Sequence, residues 1–135
     1  ERVIPIINEN DTLSITELMF TDNDELSGIM AEMMGVDLLI LLSNIDGIYN
    51  GNPLDPKSRV IRKVLSASDD MTQYIQAGKS AFGRGGMVTK SRIAHSVADK
   101  GIPVIIANGR HEDIILKLID YPEDTVCTRF EPSNI

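Results

Sequence analysis

The stretch "DLLILLS" at residues 37–43 decides the fold class of this chain. A continuous apolar run of this length, bounded by polar residues, predicts a strand that is buried on both faces of a parallel sheet. A second run of the same kind, "IPVIIAN", occupies residues 102–108. Predicted helices alternate with these strands, so we expect a three-layer α/β/α domain with a mainly parallel sheet and helices on both faces.

Four segments have helical spacing. Helices are predicted over 24–35, over about 67–77, over 87–101 and over 111–120, and Gly35 and Gly101 are the predicted stops of the first and third. The apolar side of the first helix is expected to consist of Leu26, Ile29, Met30 and Met33. Its methionines are interpreted as filling for the core.

Three further strands are predicted around this framework. "VIPIIN" at 3–8 is a short β-branched run that predicts another buried strand, and "TLSITELM" at 12–19 begins with the alternation of a more exposed one. "TVCTRF" at 125–130 predicts the last strand, and "NGNPLDP" at 50–56 predicts a loop.

Composition excludes several classes of protein. The chain has 135 residues and a formal net charge of −7, which argues against the basic face that a nucleic-acid binder needs. Its longest apolar run, at 38–42, is too short to cross a bilayer. The one cysteine, Cys127, is expected to be a small buried side chain in a reducing compartment. We therefore expect a cytoplasmic protein without a membrane or nucleic-acid partner.

Charge is unevenly distributed along the chain. Residues 3–56 contain ten acids and no lysine or arginine, whereas residues 71–98 contain no acid but include Lys79, Arg84, Lys90 and Arg92. Such a split suits a protein that holds a cationic or metal-associated group at one end and a polyphosphate at the other. Clustering of charge on solvated faces is the alternative.

The glycine cluster "GRGGMVTK" at 83–90 suggests a phosphate site. Glycines let a ligand approach the backbone closely, and bare N–H groups followed by a lysine suit an anion. A flexible turn before a helix is the alternative. The string is neither a Walker A loop nor a dinucleotide-binding turn, because its glycines and lysine are spaced differently.

Polar clusters follow the predicted strands, where ligands of α/β proteins gather. They are "NEND" at 8–11, "SNIDG" at 43–47 and "NGR" at 108–110, and a fourth, "TDND" at 21–24, opens a helix. Thr21 and Asp24 also match a capping box, which is the structural alternative for that cluster.

Taken in order, "IPIINENDT", "TDNDELSG", "DLLILLSNIDGIYNGNP" and "GRGGMVTK" resemble the glutamate 5-kinase family of the amino-acid kinase superfamily. The resemblance covers residues 3–119. It implies an amino-acid kinase (carbamate kinase-like) fold and phosphorylation of the side-chain carboxylate of L-glutamate by ATP with Mg²⁺, the first step of proline biosynthesis.

The resemblance also implies a role for each matching residue. Lys90 would stabilise the transferring phosphoryl group, and Asp24 would position lysines. Glutamate would be held by Asn8, Asp11 and Asn23. The nucleotide would be held by Ser43, Asn44, Arg84, Gly85, Gly86, Met87, Val88, Thr89 and Lys90. No histidine is needed for this chemistry, and His95 and His111 are expected to be surface residues.

Departures from the family pattern limit the assignment. Ser43 and Asn44 replace the frequent Thr-Asp, and Arg84 lies in a Gly-Arg-Gly-Gly string where Gly-Thr-Gly-Gly is common. The "LLS…GIY.G.P" and "GRGGM" strings resemble the kinase half of plant bifunctional pyrroline-5-carboxylate synthases, whereas the lost carboxylate at Asn44 bears on its nucleotide contact. The family's first strand, with its lysine, has no counterpart here. Residues 1–135 are therefore interpreted as the C-terminal, nucleotide-binding part of the kinase domain, without the N-terminal part or any PUA domain.

Three functions follow from these observations. The leading one is glutamate 5-kinase, with proline as a possible feedback inhibitor and a homo-oligomeric assembly. The alternatives are the kinase segment of a bifunctional synthase and a nucleotide- or amino-acid-binding module without catalysis. We expect the 135-residue chain to be inactive by itself, because it lacks the lysine of the family's first strand, which would contact the phosphates opposite Lys90.

Overall fold

The computed structural model describes residues 3–7, 23–65 and 86–132. The predicted strand over 12–19 and the predicted helix over 67–77 lie outside the described residues. The described elements, in chain order, are α1 (Asn23–Met34), β1 (Leu39–Ser43), β2 (Lys63–Leu65), α2 (Gly86–Asp99), β3 (Val104–Asn108), α3 (Ile114–Asp120) and β4 (Thr128–Glu131).

The four described strands form one sheet in the order β1-β3-β4-β2. β1 is parallel to β3, with Leu39 opposite Val104 and Ser43 opposite Asn108. β2 is parallel to β4, and β3 joins the two pairs by running antiparallel to β4. Two of the three pairings are thus parallel, as the alternation of strands and helices predicted.

Alternate residues of β3 pack on opposite faces of the sheet. Val104 and Ile106 belong to one core, which contains buried side chains of α1 and α2, and Ile105 and Ala107 belong to a second, which contains Ile114 and Leu118 of α3. Successive side chains of a strand point to opposite faces, so helices cover β3 on both sides. The predictions of a doubly buried strand over 102–108 and of helices on both faces are confirmed.

β1 is less buried than its apolar sequence predicted. Leu41 is buried, but Leu42 is 44% exposed. The seven-residue helix α3 packs on Ile105 and Ala107 of β3 and leaves the end of the neighbouring strand open on that face. The strand prediction over 37–43 is confirmed for residues 39–43, whereas the expectation of burial on both faces is wrong there.

Small residues, rather than the predicted large ones, carry the packing of α1 on α2. A methyl group added to Gly28 would lie 2.7 Å from Cγ2 of Ile93, and Ala31 is buried. Met33, expected to fill the core, is 77% exposed, and Ile29 is 40% exposed. Close approach of the two helices turns α1 so that its smallest residues face α2, and the predicted apolar side and the role of its methionines are corrected accordingly.

The predicted ends of two helices are confirmed. α1 and α2 are followed by Gly35 and Gly101, whose φ angles are +61° and +92°. Glycine adopts this left-handed conformation without the strain that a Cβ atom would cause. α3 begins at Ile114 rather than at residue 111, because Asp113 also has a left-handed backbone, with φ of 58°.

The prediction of a buried strand over 3–8 is wrong for the residues that are described there. Residues 3–7 form no strand, and Val3, Ile4 and Ile6 are at least 65% exposed. None of the four described strands pairs with this segment. An apolar run becomes a strand only when a neighbour satisfies its backbone groups, and sequence pattern alone does not supply that neighbour.

The remaining predictions concern single features. Cys127 is buried, as expected. None of the described helices is both long and apolar enough to span a membrane.

Candidate functional site

The described part of the candidate site lies at the carboxyl ends of β1 and β3. α1 leads into β1 through residues 35–38, and α2 leads into β3 through residues 100–103. Each helix packs on the sheet and runs back along the strand that follows it, so the N-termini of α1 and α2 face this same edge. We call it the carboxyl edge: the ends of β1 and β3 with the first turns of α1 and α2.

Two charged residues predicted for the site are in direct contact there. Nζ of Lys90, in the second turn of α2, lies 2.8 Å from Oδ2 of Asp24, in the first turn of α1. Their side chains are only 17% and 16% exposed. A second pair, Lys100–Glu32 at 3.0 Å, joins the opposite ends of the same helices. α1 and α2 are therefore parallel, and both N-termini point the same way.

The nucleotide residues predicted on α2 are partly described. Gly86 begins the helix, Met87 packs against the core, Val88 is 37% exposed, and Thr89 is half-buried. Their backbone N–H groups belong to the first helical turn, which lacks intrahelical partners for its donors. The first turn of a helix beside a lysine favours an anion.

The other predicted nucleotide residues lie at the end of β1. Ser43 is the last residue of the strand and is half-buried, and Asn44 follows it with an exposed side chain. The carbonyl of Ser43 accepts a hydrogen bond from the N–H of Gly109 at 2.8 Å. This bond ties the loop after β1 to the loop after β3.

Several predicted site residues are not placed by the structure. Asn8, Asp11, Arg84 and Gly85 lie outside the described residues, and Asn23 is described only as the first residue of α1. The proposed glutamate contacts therefore remain predictions from the resemblance.

Asp46 is a residue of this edge to which the sequence assigned no role. Its Oδ1 accepts a hydrogen bond from Nδ2 of Asn108 at 3.2 Å and lies 2.8 Å from Nε2 of His111. Tyr49 lies near this carboxylate: burial raises the pKa of the Tyr49 hydroxyl, and the negative charge of Asp46 raises it further. The signal available in the sequence was that "SNIDG" and "NGR" follow neighbouring strands.

The two histidines, both predicted to be surface residues, differ in exposure. His111 is exposed, as expected, but it contacts Asp46. His95 is half-buried, and its ring packs edge-on against Phe130 with centroids 5.0 Å apart, so its prediction is wrong. The helical position of His95 places it over β4, which sequence spacing did not reveal.

A buried threonine anchors the loop that follows β1. Oγ1 of Thr128 accepts a hydrogen bond from the N–H of Ile48 at 2.9 Å and donates one to the carbonyl of Ile61 at 2.7 Å. A Cβ atom at Gly47 would lie 2.5 Å from the same oxygen. These contacts with Thr128 hold the backbone at residues 47 and 48, where the loop moves away from the carboxyl edge.

Comparison with known families gives one extended match. Residues 1–108 match the sequence model of the amino acid kinase family.

Among the described residues, no group of three or more histidine, cysteine, aspartate or glutamate side chains could hold a metal ion.

Curated relatives are similar over nearly the whole chain. A glutamate 5-kinase of Bacteroides thetaiotaomicron is 64% identical over 132 residues, which are 98% of this chain and 36% of that protein. A glutamate 5-kinase of Chlorobaculum tepidum is 50% identical over 85% of this chain and 31% of that protein. A delta-1-pyrroline-5-carboxylate synthase of Mesembryanthemum crystallinum is 42% identical over 88% of this chain and 17% of that protein. The chain thus spans about a third of the length of these two kinases.

Solved structures agree with the fold. An isopentenyl phosphate kinase superposes with a TM-score of 0.59 at 23% identity, over 81% of this chain and 37% of that one. A carbamate kinase from Giardia lamblia bound to AMP-PNP gives 0.56 at 19% identity, over 83% of this chain and 36% of that one. At these identities the likeness is one of fold, and it confirms the expected carbamate kinase-like fold.

Proposed function

Because this chain belongs to the amino acid kinase family, we propose that it is the C-terminal, nucleotide-binding part of a glutamate 5-kinase. The reaction is transfer of the γ-phosphoryl group of ATP to the side-chain carboxylate of L-glutamate, which gives L-glutamyl 5-phosphate for proline biosynthesis. The observation that carries the proposal is the Lys90–Asp24 pair, with 2.8 Å between Nζ and Oδ2, at the N-termini of two parallel helices. The 64% identity to a glutamate 5-kinase supports the choice of acceptor.

Lys90 is the residue proposed to act on the transferring group. Its charge is held at the end of the glycine cluster, and the first turn of α2 adds backbone donors on the same side. Phosphoryl transfer builds and moves negative charge on the phosphate oxygens, so a fixed cation and fixed N–H groups stabilise the transition state. Arg84, Gly85, Gly86, Met87, Val88, Thr89 and Lys90 would together enclose the phosphates.

Asp24 is proposed to hold Lys90 in place. A lysine side chain has several rotatable bonds, and ordering it costs conformational entropy. The short contact to a carboxylate that is itself largely shielded from water restricts Nζ to one position. The pair also avoids an unpaired charge in a poorly hydrated site, which would be unfavourable.

The acceptor needs no catalytic base. A glutamate side chain is ionised at neutral pH, so one of its oxygens can attack the γ-phosphorus directly. The bond between that phosphorus and the bridging oxygen breaks, and ADP leaves with the electron pair. The task of the protein is therefore alignment and charge neutralisation. Asn8, Asp11 and Asn23 are proposed to align glutamate, and Ser43 and Asn44 to contact the nucleotide.

Mg²⁺ fits this scheme as a companion of ATP. Mg²⁺ usually keeps several water ligands and binds through substrate phosphates rather than through a protein cage. It would therefore be held by ATP phosphates beside the first turn of α2, where it would neutralise phosphate charge.

The wider context of the enzyme is also proposed. We expect a cytoplasmic homo-oligomer in which proline competes for the glutamate site. The buried free thiol of Cys127 agrees with a reducing compartment.

A second candidate is the kinase segment of a bifunctional synthase. The 42% identity to a delta-1-pyrroline-5-carboxylate synthase favours it. The phosphorylation step would be the same, and a reductase domain after the kinase would distinguish the two. The sequence that flanks this segment decides between them.

The test is a hydroxylamine-trapping assay on the full-length protein. With ATP and Mg²⁺, L-glutamate should give hydroxamate and ADP, whereas L-aspartate and N-acetyl-L-glutamate should not. Turnover with either of the other acceptors, and not with L-glutamate, would replace the proposed substrate. Binding of ATP without any turnover would instead identify a non-catalytic module.

A further inference from the structure

A hydrogen-bonded chain links the two loops of the carboxyl edge through side chains. The N–H of Arg110 donates to Oδ1 of Asn108 at 2.9 Å, which leaves the Nδ2 amide of Asn108 to donate to Oδ1 of Asp46 at 3.2 Å. His111 reaches the same oxygen with Nε2 at 2.8 Å. Asp46, in the loop after β1, thus binds two side chains from the end of β3 and the loop that follows it.

The chemistry of these groups fixes their orientation. An ionised carboxylate only accepts hydrogen bonds, so Asn108 must present its NH₂ group and His111 must carry a proton on Nε2. The Asn108 amide cannot rotate without losing both its contacts. The result is a single arrangement of the side chains that border Ser43 and Asn44.

Stability alone does not account for this arrangement. The Asp46 side chain is 29% exposed and the His111 side chain is 53% exposed, and ion pairs of such exposure contribute little to folding stability. The loops are also joined already, by the Gly109–Ser43 backbone bond. What Asp46 adds is the orientation of the short turn 44–47, which carries the exposed Asn44.

We propose that Asp46 is a positioning residue, which through Asn108 and His111 holds the turn of Ser43 and Asn44 in the orientation that contacts the nucleotide. The inference rests on the proposed function, since it assigns the turn to the ATP site. Asp46 acts through its neighbours and makes no contact with the reacting atoms. Its loss should therefore weaken ATP binding while the transfer step stays nearly intact.

The test uses full-length protein with substitutions at both ends of the contact. Asp46→Ala, which removes the acceptor oxygen, should raise KM for ATP about tenfold, since one well-placed interaction of about 1.4 kcal/mol corresponds to that factor. The kcat value and KM for glutamate should change less than threefold. His111→Ala should raise KM for ATP in the same way, and His111→Gln, which keeps a donor near the Nε2 position, should restore most of the affinity.

Glu32→Gln is the matched control. Glu32 is 30% exposed and pairs with Lys100 at 3.0 Å, but it lies at the opposite end of α1. Its substitution should leave all kinetic constants unchanged. If Asp46→Ala leaves KM for ATP unchanged in an active enzyme, the positioning role is wrong and the kinase function stands. A fall in kcat and melting temperature together with both KM values would show a structural role instead.

A spectroscopic measurement tests the contact apart from activity. Ring ¹⁵N chemical shifts of His111 should show a proton on Nε2 in the wild type and a mixture of tautomers in Asp46→Ala. Identical shifts in the two proteins would overturn the proposal. A wild-type enzyme that neither binds nor turns over ATP would remove the proposed function, and the positioning role with it.

Discussion

Lys90→Ala in the full-length protein should lower kcat by about 10²- to 10³-fold and change KM for glutamate much less. The proposed function places the side chain where charge moves during phosphoryl transfer, and loss of one such fixed electrostatic contact costs about 2.7–4 kcal/mol of transition-state stabilisation. The control is Lys100→Ala, which removes the ion pair between Lys100, whose side chain is 58% exposed, and Glu32 at the far end of the same two helices. That variant should keep wild-type turnover.

The structure also sets the expected cost in folding stability. Exposed ion pairs contribute about 0–1 kcal/mol, and breaking a fully buried one costs about 3–5 kcal/mol. The Lys90–Asp24 side chains are 17% and 16% exposed, so we expect an intermediate loss of about 1–3 kcal/mol in Lys90→Ala. Lys100→Ala should lose less than about 1 kcal/mol.

Steady-state kinetics with a coupled ADP assay, paired with urea unfolding, separates the two effects. Turnover of Lys90→Ala within threefold of wild type would remove Lys90 from the mechanism. A double variant adds a second criterion: if Asp24 acts only by positioning Lys90, then Asp24→Asn in the Lys90→Ala background should not lower kcat further. An additional tenfold loss would mean that Asp24 has a separate role.

Three further predictions concern packing, ionisation and the extent of the chain. Gly47→Ala should destabilise the full-length protein by about 1–3 kcal/mol, because the new methyl group meets Oγ1 of Thr128 at 2.5 Å and its backbone nitrogen at 3.1 Å. Gly51→Ala meets only the rotatable hydroxyl of Ser58 and should cost less in the same urea titration. Burial raises the pKa of the Cys127 thiol above its usual value of 9.0. The stability that the neutral thiol contributes is therefore complete below pH 9 and is lost as the pH rises through the pKa of the folded state. Urea midpoints measured from pH 8 to pH 10.5 should fall more steeply in wild type than in Cys127→Ala. The 135-residue chain by itself should show no glutamate-dependent release of ADP, and activity near that of the full-length enzyme would contradict this expectation.

The framework of the fold could be predicted because its signals are local. Uninterrupted apolar runs at 37–43 and 102–108 have strand length, and the glycines at 35 and 101 end helices for a steric reason that no tertiary contact alters. The face that α1 presents could not be predicted in the same way. Gly28 and Ala31 face the neighbouring helix because they let it approach, and small size carries no hydrophobic signal of its own.

The segment at 3–7 shows a limit of predicting strands from an apolar pattern alone. Its apolar, β-branched residues favour a strand, but pattern does not specify which strand will pair with it. In the described sheet no neighbour does, and Ile4 and Ile6 stay more than 80% exposed. Burial of such a run depends on backbone partners that can lie far away in sequence, so composition alone overstates it.

The same difference between local sequence signals and contacts of distant residues applies to the candidate site. Lys90 and Asp24, which the structure brings into contact, were predicted as site residues from motifs with a fixed local spacing. Asp46 was missed because its partners are 62 and 65 residues away, and the loop "SNIDG" carries no local sign of them. Only the parallel pairing of β1 with β3, which sets Ser43 opposite Asn108, brings the two loops together. A residue that acts by joining distant loops is therefore visible only once the strand register is known, whereas a residue that acts on the ligand can be read from its own motif.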